Sequence, residues 1–140
     1  EPMAPSAVLE RLRSESPTGL EFRSAEAVPP GRAHSARVAS ARYRLAIPED
    51  RREAARSAVG ALLAGASRPY LRHRPERSFE VDLRPFVLSA EVAPEGDLVF
   101  RLKVTPEGSA RPEEVVDCLG LKDLFGRGGV LIREEIELHP

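Results

Sequence analysis

The side chains with chemistry to offer are concentrated in the middle of this 140-residue chain. Arg68-Pro69-Tyr70-Leu71-Arg72-His73-Arg74-Pro75-Glu76-Arg77 holds four arginines, a histidine and a tyrosine in ten residues. In an extended segment Arg72 and Arg74 fall on one face with Tyr70 nearby, a combination able to contact phosphates and stack a base. The plainer reading is a solvated edge strand whose charges block aggregation, and charges exposed in that way add little to stability. Arg42 and Arg44 alternate with Tyr43 and Leu45, so a strand there has one dry face and one basic, wetted face. Asp82 and Arg84 share the face of a third strand, as a structural ion pair or as a partner contact. If the segments carrying Arg42, Arg44, Arg72 and Arg74 are neighbours in one sheet, they form a single patch for RNA or an acidic partner. Arg68 and Tyr70 belong to the same candidate surface, and Asp82 and Arg84 border it.

Catalytic patterns are harder to find. Cys118 sits beside Leu119 on an expected helix and reads as a buried structural thiol, and no serine lies in a nucleophile elbow. His34, His73 and His139 have no ligand spacing, so no metal site is expected. Gly126-Arg127-Gly128-Gly129 precedes a strand instead of a helix and lacks the Lys-Ser/Thr of a phosphate loop, so it reads as a turn. No catalytic residue and no cofactor are expected of this chain.

The net charge of −1 conceals an uneven distribution, since residues 31–77 hold 11 arginines against 4 acids while the flanking segments are acidic. Only Lys103 and Lys122 among the 21 basic residues are lysines, which a GC-rich genome explains as readily as a need for guanidinium geometry. One cysteine excludes an internal disulfide and any multi-cysteine cluster made by this chain alone, and suits a reducing cytosol. No apolar run approaches the roughly 18–20 residues of a membrane span, so a cytoplasmic protein without a membrane partner is expected. With five Phe, two Tyr and no Trp, the core must be built from Val, Leu, Ile and Ala.

These side chains need elements to position them. Val8, Leu9 and Leu12 space a short helix over residues 6–15, and Leu20-Glu21-Phe22 alternates into a short strand before Val28-Pro29-Pro30-Gly31, with a boundary or crossover at 29–36. Residues 1–30 thus read as the helix-strand end of a preceding, absent domain, and 31–140 as a domain of their own. Tyr43, Leu45 and Ile47 mark the first strand of that domain. Ala54, Ala55, Ala58, Val59, Leu62 and Leu63 recur at helical spacing along a helix that stops at Gly65. Residues 78–105 hold a central antiparallel hairpin, with Phe86, Leu88, Ala90 and Val92 on one apolar face and Leu98, Phe100, Leu102 and Val104 on the matching face beyond the turn at 93–97. Arg101, between them, faces solvent. The phase flips at Arg84-Pro85, where a bulge or bend is expected. A helix from Arg111-Pro112-Glu113-Glu114 to Gly120 and a strand over 130–138 complete the chain. Strand, helix, strand or strands, hairpin, helix, strand is close to the split βαβ order of a ferredoxin-like α+β sandwich.

Five short motifs occur in a telling order: Ser16-Pro17-Thr18-Gly19-Leu20, Ala25-Glu26-Ala27-Val28-Pro29, Ala41-Arg42-Tyr43-Arg44-Leu45, Val81-Asp82-Leu83-Arg84-Pro85, and Arg111-Pro112-Glu113-Glu114-Val115 ahead of a Leu-Gly. In that order they resemble the C-terminal portion of the radical-SAM-linked protein family, a bacterial family of unknown function encoded beside, or fused to, radical SAM proteins. That family's N-terminal half, with Ser-His-Leu-Asp and Gly-Phe-Asn-Pro-His-Pro-like motifs, has no counterpart here. The resemblance implies an accessory role with a radical SAM protein as partner, in which iron–sulfur cluster and cofactor belong to that partner, since a three-cysteine cluster cannot be built with Cys118 alone. Two functions stay open: a non-catalytic domain presenting an RNA or protein substrate to the enzyme, and a purely structural module contacting only the enzyme.

Overall fold

The computed structural model describes residues 3–28 and 37–139, so the boundary expected at 29–36, and His34 with it, lie outside the described residues. The chain divides into two compact units, Glu1–Ser35 and Ala36–Pro140.

In the first unit helix α1 spans Pro5–Glu15, opened by a proline whose missing N–H costs nothing in a first turn. Ser16 Oγ donates back to the Leu12 carbonyl at 2.7 Å, and Gly19, at φ +94°, takes the left-handed turn that follows. The short strand expected at Leu20-Glu21-Phe22 is absent. Among the described residues no second strand lies alongside it to complete a ladder. Instead, Arg13 folds over the segment and donates to the carbonyls of Phe22 and Arg23 at 2.8 and 3.2 Å.

The second unit carries strand β1 (Val38–Ala46), helix α2 (Arg52–Ala64), strands β2 (Pro69–His73) and β3 (Ser78–Asp82), and strands β4 (Val87–Val92), β5 (Asp97–Thr105) and β6 (Gly108–Ser109). Helices α3 (Pro112–Cys118) and α4 (Asp123–Gly126) and strand β7 (Leu131–Leu138) follow. The main sheet runs β4-β5-β1-β7 with every neighbour antiparallel, and the two-residue β6 joins β5. Its four long strands, taken along the chain, lie second-third-first-fourth, and α2 and α3 make the two crossovers. This is the split βαβ arrangement expected from the element order.

Alternation along β1 and β5 sorts the sheet into two faces. Leu45, Leu98, Phe100 and Leu102 are 0–2% exposed and pack with Ala55, Val59 and Leu62 of α2 and Val115, Val116 and Leu119 around α3. Both helices therefore cover one face, and each fully buried Leu or Val contributes on the order of 1.5–3 kcal/mol. Tyr43 stacks on Phe100 with ring centroids 5.5 Å apart, so the scarce aromatics meet. The opposite face, bearing Arg42, Arg44, Arg101 and Lys103, is the one that α2 and α3 leave bare.

The expected hairpin departs from expectation in three ways. It occupies one side of the sheet, with β4 at the edge and only β5 interior. A bulge sets Val87 against Leu102 and Ser89 against Arg101, so Leu88 is the extra residue. Leu88 is consequently 52% exposed and Val87, expected outside, is buried at 3%. Residues 78–82 are not part of this hairpin at all. They pair with 69–73 as a separate two-stranded sheet, Tyr70 opposite Val81 and Arg72 opposite Phe79.

Candidate functional site: an arginine-bearing hairpin appended to the sandwich

An isolated two-stranded hairpin is marginal in water, so β2–β3 needs anchors. Its root is Val81-Asp82-Leu83-Arg84-Pro85. Asp82 Oδ1 accepts the Arg68 N–H at 2.7 Å and the Arg84 N–H at 3.0 Å, gathering both ends of the hairpin on one carboxylate. The Arg68 N–H, then burial in opposition, then the Arg84 N–H leave the Asp82 carboxyl below its ordinary range. Leu83, fully buried, donates its N–H to the Arg68 carbonyl at 2.9 Å. The Arg84 guanidinium then reaches the end of α2, donating to the carbonyls of Leu63 (3.2 Å), Gly65 (3.1 Å) and Val87 (3.1 Å). Carbonyls at a helix C-terminus lack intrahelical donors and carry the negative end of the dipole, so a guanidinium is the fitting cap. Asp82 and Arg84 therefore make no side-chain ion pair with each other; each is bound to backbone.

The middle of the hairpin is bolted to α3. Arg72 donates Nε and Nη2 to the two Glu114 oxygens at 2.6 and 2.7 Å, and Nη2 also to the Ser109 carbonyl at 3.1 Å. The two side chains are 12% and 7% exposed, which makes this a buried, bidentate pair. Burial pushes the Glu114 carboxyl up, but Arg72 and the Arg111 N–H outweigh it and hold the acid below its usual range. Beside it the Tyr70 hydroxyl donates to Asp117 at 2.7 Å, and that hydrogen bond, with burial, pushes the phenol up to about 12. Arg68 donates Nη2 to the Cys118 carbonyl at 2.8 Å. Burial pushes the Cys118 thiol up, which suits a structural thiol. A groove of about 500 Å³ runs here, lined by Tyr70, Arg72, Arg111, Asp117, Lys122 and Phe125.

Arg42 and Arg44 are elsewhere, on the face of the main sheet opposite α2 and α3. Arg42 lies 3.4 Å from Glu134, while Arg44 meets Glu95 at 2.9 Å, Asp97 at 3.1 Å and Glu134. Arg101 meets Glu135 at 2.8 Å and also donates to Ser40 Oγ at 3.0 Å. The face expected to be basic is therefore a lattice of opposite charges, and the hydrogen bonds that Arg44 donates to Glu134, Glu95 and Asp97 hold its guanidinium well above its ordinary range. The eight candidate residues do not form the single patch described above, because β2 and β1 belong to different sheets. Arg68, Tyr70, Arg72, Asp82 and Arg84 share the hairpin and its root, and Arg72 is locked in a buried pair instead of lying on an exposed edge.

The tip of the hairpin carries two further arginines, Arg74 and Arg77. Arg74 N–H donates to the Arg77 carbonyl at 3.0 Å, closing a four-residue turn through Pro75 and Glu76. The guanidinium carbons of Arg74, Arg77 and Arg72 lie 5.2, 5.5 and 5.9 Å from the centroid of the Phe79 ring. Among the described residues, neither Arg74 nor Arg77 has a carboxylate within 4.0 Å. Sequence reasoning passed over Arg77, Phe79 and Glu114; the signal available was the turn Arg74-Pro75-Glu76-Arg77, which read as a hairpin loop would have set Phe79 opposite Arg72.

Among the described residues no cluster of three or more His, Cys, Asp or Glu is placed to hold a metal, and no helix is long and apolar enough to cross a membrane. No curated protein and no solved structure matches the sequence. One family model does, over residues 1–112, from α1 through the Asp82–Arg84 root to the start of α3, and the chain belongs to that family, described as an uncharacterized protein conserved in bacteria (DUF2344).

Proposed function

We propose that this chain is a non-catalytic binding domain that works beside a radical SAM enzyme and presents RNA to it on the β2–β3 hairpin. The observation carrying this reading is the hairpin itself. It is an appendage to a sheet that is complete without it, tied to the sandwich by the Arg84 cap and the Arg72–Glu114 pair, and it holds Arg74 and Arg77 without carboxylate partners among the described residues. Arginines in ion pairs have already spent their charge; unpaired ones attract phosphate. The link to a radical SAM enzyme rests on the five sequence motifs alone, and the order of those motifs is its support.

The test is an anisotropy titration of the purified chain with structured RNA carrying an unpaired loop at two salt concentrations, since phosphate-driven binding weakens as salt rises. Salt-sensitive binding is the expected result. Absence of binding at low salt, together with co-purification with the radical SAM partner, would replace this reading with a module that contacts only its enzyme.

A further inference from the structure

The tip geometry points to a more specific ligand, and this step rests on the RNA reading above: we infer that Arg74, Arg77 and Phe79 form a clamp for an unpaired stretch of RNA, one that excludes a duplex. Three guanidiniums crowd one aromatic ring, at 5.2, 5.5 and 5.9 Å. The ring's negative face offsets part of their charge, and Glu114 cancels that of Arg72. Two positive charges remain at the mouth of a concavity of about 420 Å³ lined by Arg74, Pro75, Glu76 and Arg77. Glu76 lines it too but forms no ion pair with either arginine among the described residues.

Three features select single-stranded RNA. A guanidinium near an aromatic ring is attracted by the ring's negative face, and its planar fork of N–H donors matches a phosphate. Its outer face is a plane on which a base can stack, and only an unpaired base has a face to offer. The clamp is also short: one four-residue turn provides two cations, where duplex-binding surfaces span many phosphates. The turn is built on Pro75 and closed by the Arg74–Arg77 hydrogen bond, so the two arginines keep their spacing without a ligand.

Affinity of the full chain for a labelled single-stranded oligouridylate of about ten nucleotides, the length an open groove spans, is the measurement. With two phosphates neutralised, log K should fall against log salt with a slope of about −1.4, or roughly sevenfold from 50 to 200 mM salt. Arg74→Ala/Arg77→Ala should flatten that slope and leave the melting curve in place. Arg74→Lys/Arg77→Lys should keep the slope but bind more weakly, because lysine keeps the charge and loses the planar guanidinium. Glu76→Gln should bind more tightly than the parent. A duplex of the same length should bind more weakly than the single strand, and the matching single-stranded DNA measures the share of the 2′-hydroxyl.

If the single strand binds the double alanine variant as well as the parent, the clamp is wrong while RNA binding stands. Equal or tighter binding of the duplex overturns the single-strand assignment. If no RNA binds at 50 mM salt, the RNA reading itself falls and the clamp with it.

Discussion

Replacing Arg72 by alanine separates a structural arginine from a ligand-binding one. The change deletes two charge-assisted hydrogen bonds to Glu114, at 2.6 and 2.7 Å, and a third to the Ser109 carbonyl. What remains is a carboxylate 7% exposed, with the Arg111 N–H at 3.0 Å as its one backbone donor. Breaking a buried pair by removing one partner costs about 3–5 kcal/mol, and the 12% exposure of Arg72 places the loss near the lower end. For a unit of this size a loss of about 3 kcal/mol lowers the midpoint by roughly 10–20 °C. The exposed edge position that the sequence suggests for Arg72 would instead cost close to nothing. The pH dependence gives a second readout. In the parent, Glu114 titrates below its unfolded value, so its contribution is present above that value and is lost as pH falls through the folded one. In the variant Arg72 no longer lowers the folded value and only Arg111 still opposes burial, so the cost of the substitution should shrink as pH falls from about 7 toward 4. Urea melts at several pH values measure both. A cost under about 1 kcal/mol, or one that does not change with pH, would refute the buried pair.

Tyr43→Phe leaves Tyr70 as the chain's one phenol, and near-ultraviolet absorbance should then show it ionising at about 12, falling toward 10 in an Asp117→Asn background. Because that value lies above the unfolded one, the Tyr70 contribution is complete below pH 10.0 and is lost as pH rises to about 12; a midpoint unmoved by Asp117→Asn would deny the hydrogen bond. Phe100→Ala should cost about 3–5 kcal/mol in denaturant melts, because the ring is fully buried against Tyr43 and the helices. Arg101→Ala should cost about 1 kcal/mol, above the near-zero loss of a free surface position, since Ser40, Glu135 and Glu137 all contact it. Equal effects at the two positions would reverse the assigned faces of β5.

The architecture was legible where the pattern is local and regular. Ala55, Val59 and Leu62 mark α2 by helical spacing, Leu98, Phe100 and Leu102 mark β5 by alternation, and the order of elements leads to the split βαβ sheet. Registers were not legible. The bulge at Leu88 and the pairing of 69–73 with 78–82 depend on which strand lies alongside, which no single segment encodes. The candidate site suffered most from this, because charge in a sequence carries no information about its partner. Arg42 and Arg44 read as free until Glu95, Asp97 and Glu134 arrive from two distant segments, and Arg72 until Glu114 arrives from α3. Arg84 looked like half of a surface ion pair and is a helix cap, because its true partners are carbonyls, which every sequence has everywhere.

The most direct test of the central claim is a map of backbone amide chemical shifts as single-stranded RNA is added to the full chain. The account predicts that the largest changes fall in residues 71–80, around Arg74, Arg77 and Phe79, with the charge lattice of residues 40–44, 97–101 and 132–137 left unmoved. Changes centred on that lattice, with the hairpin silent, would contradict it.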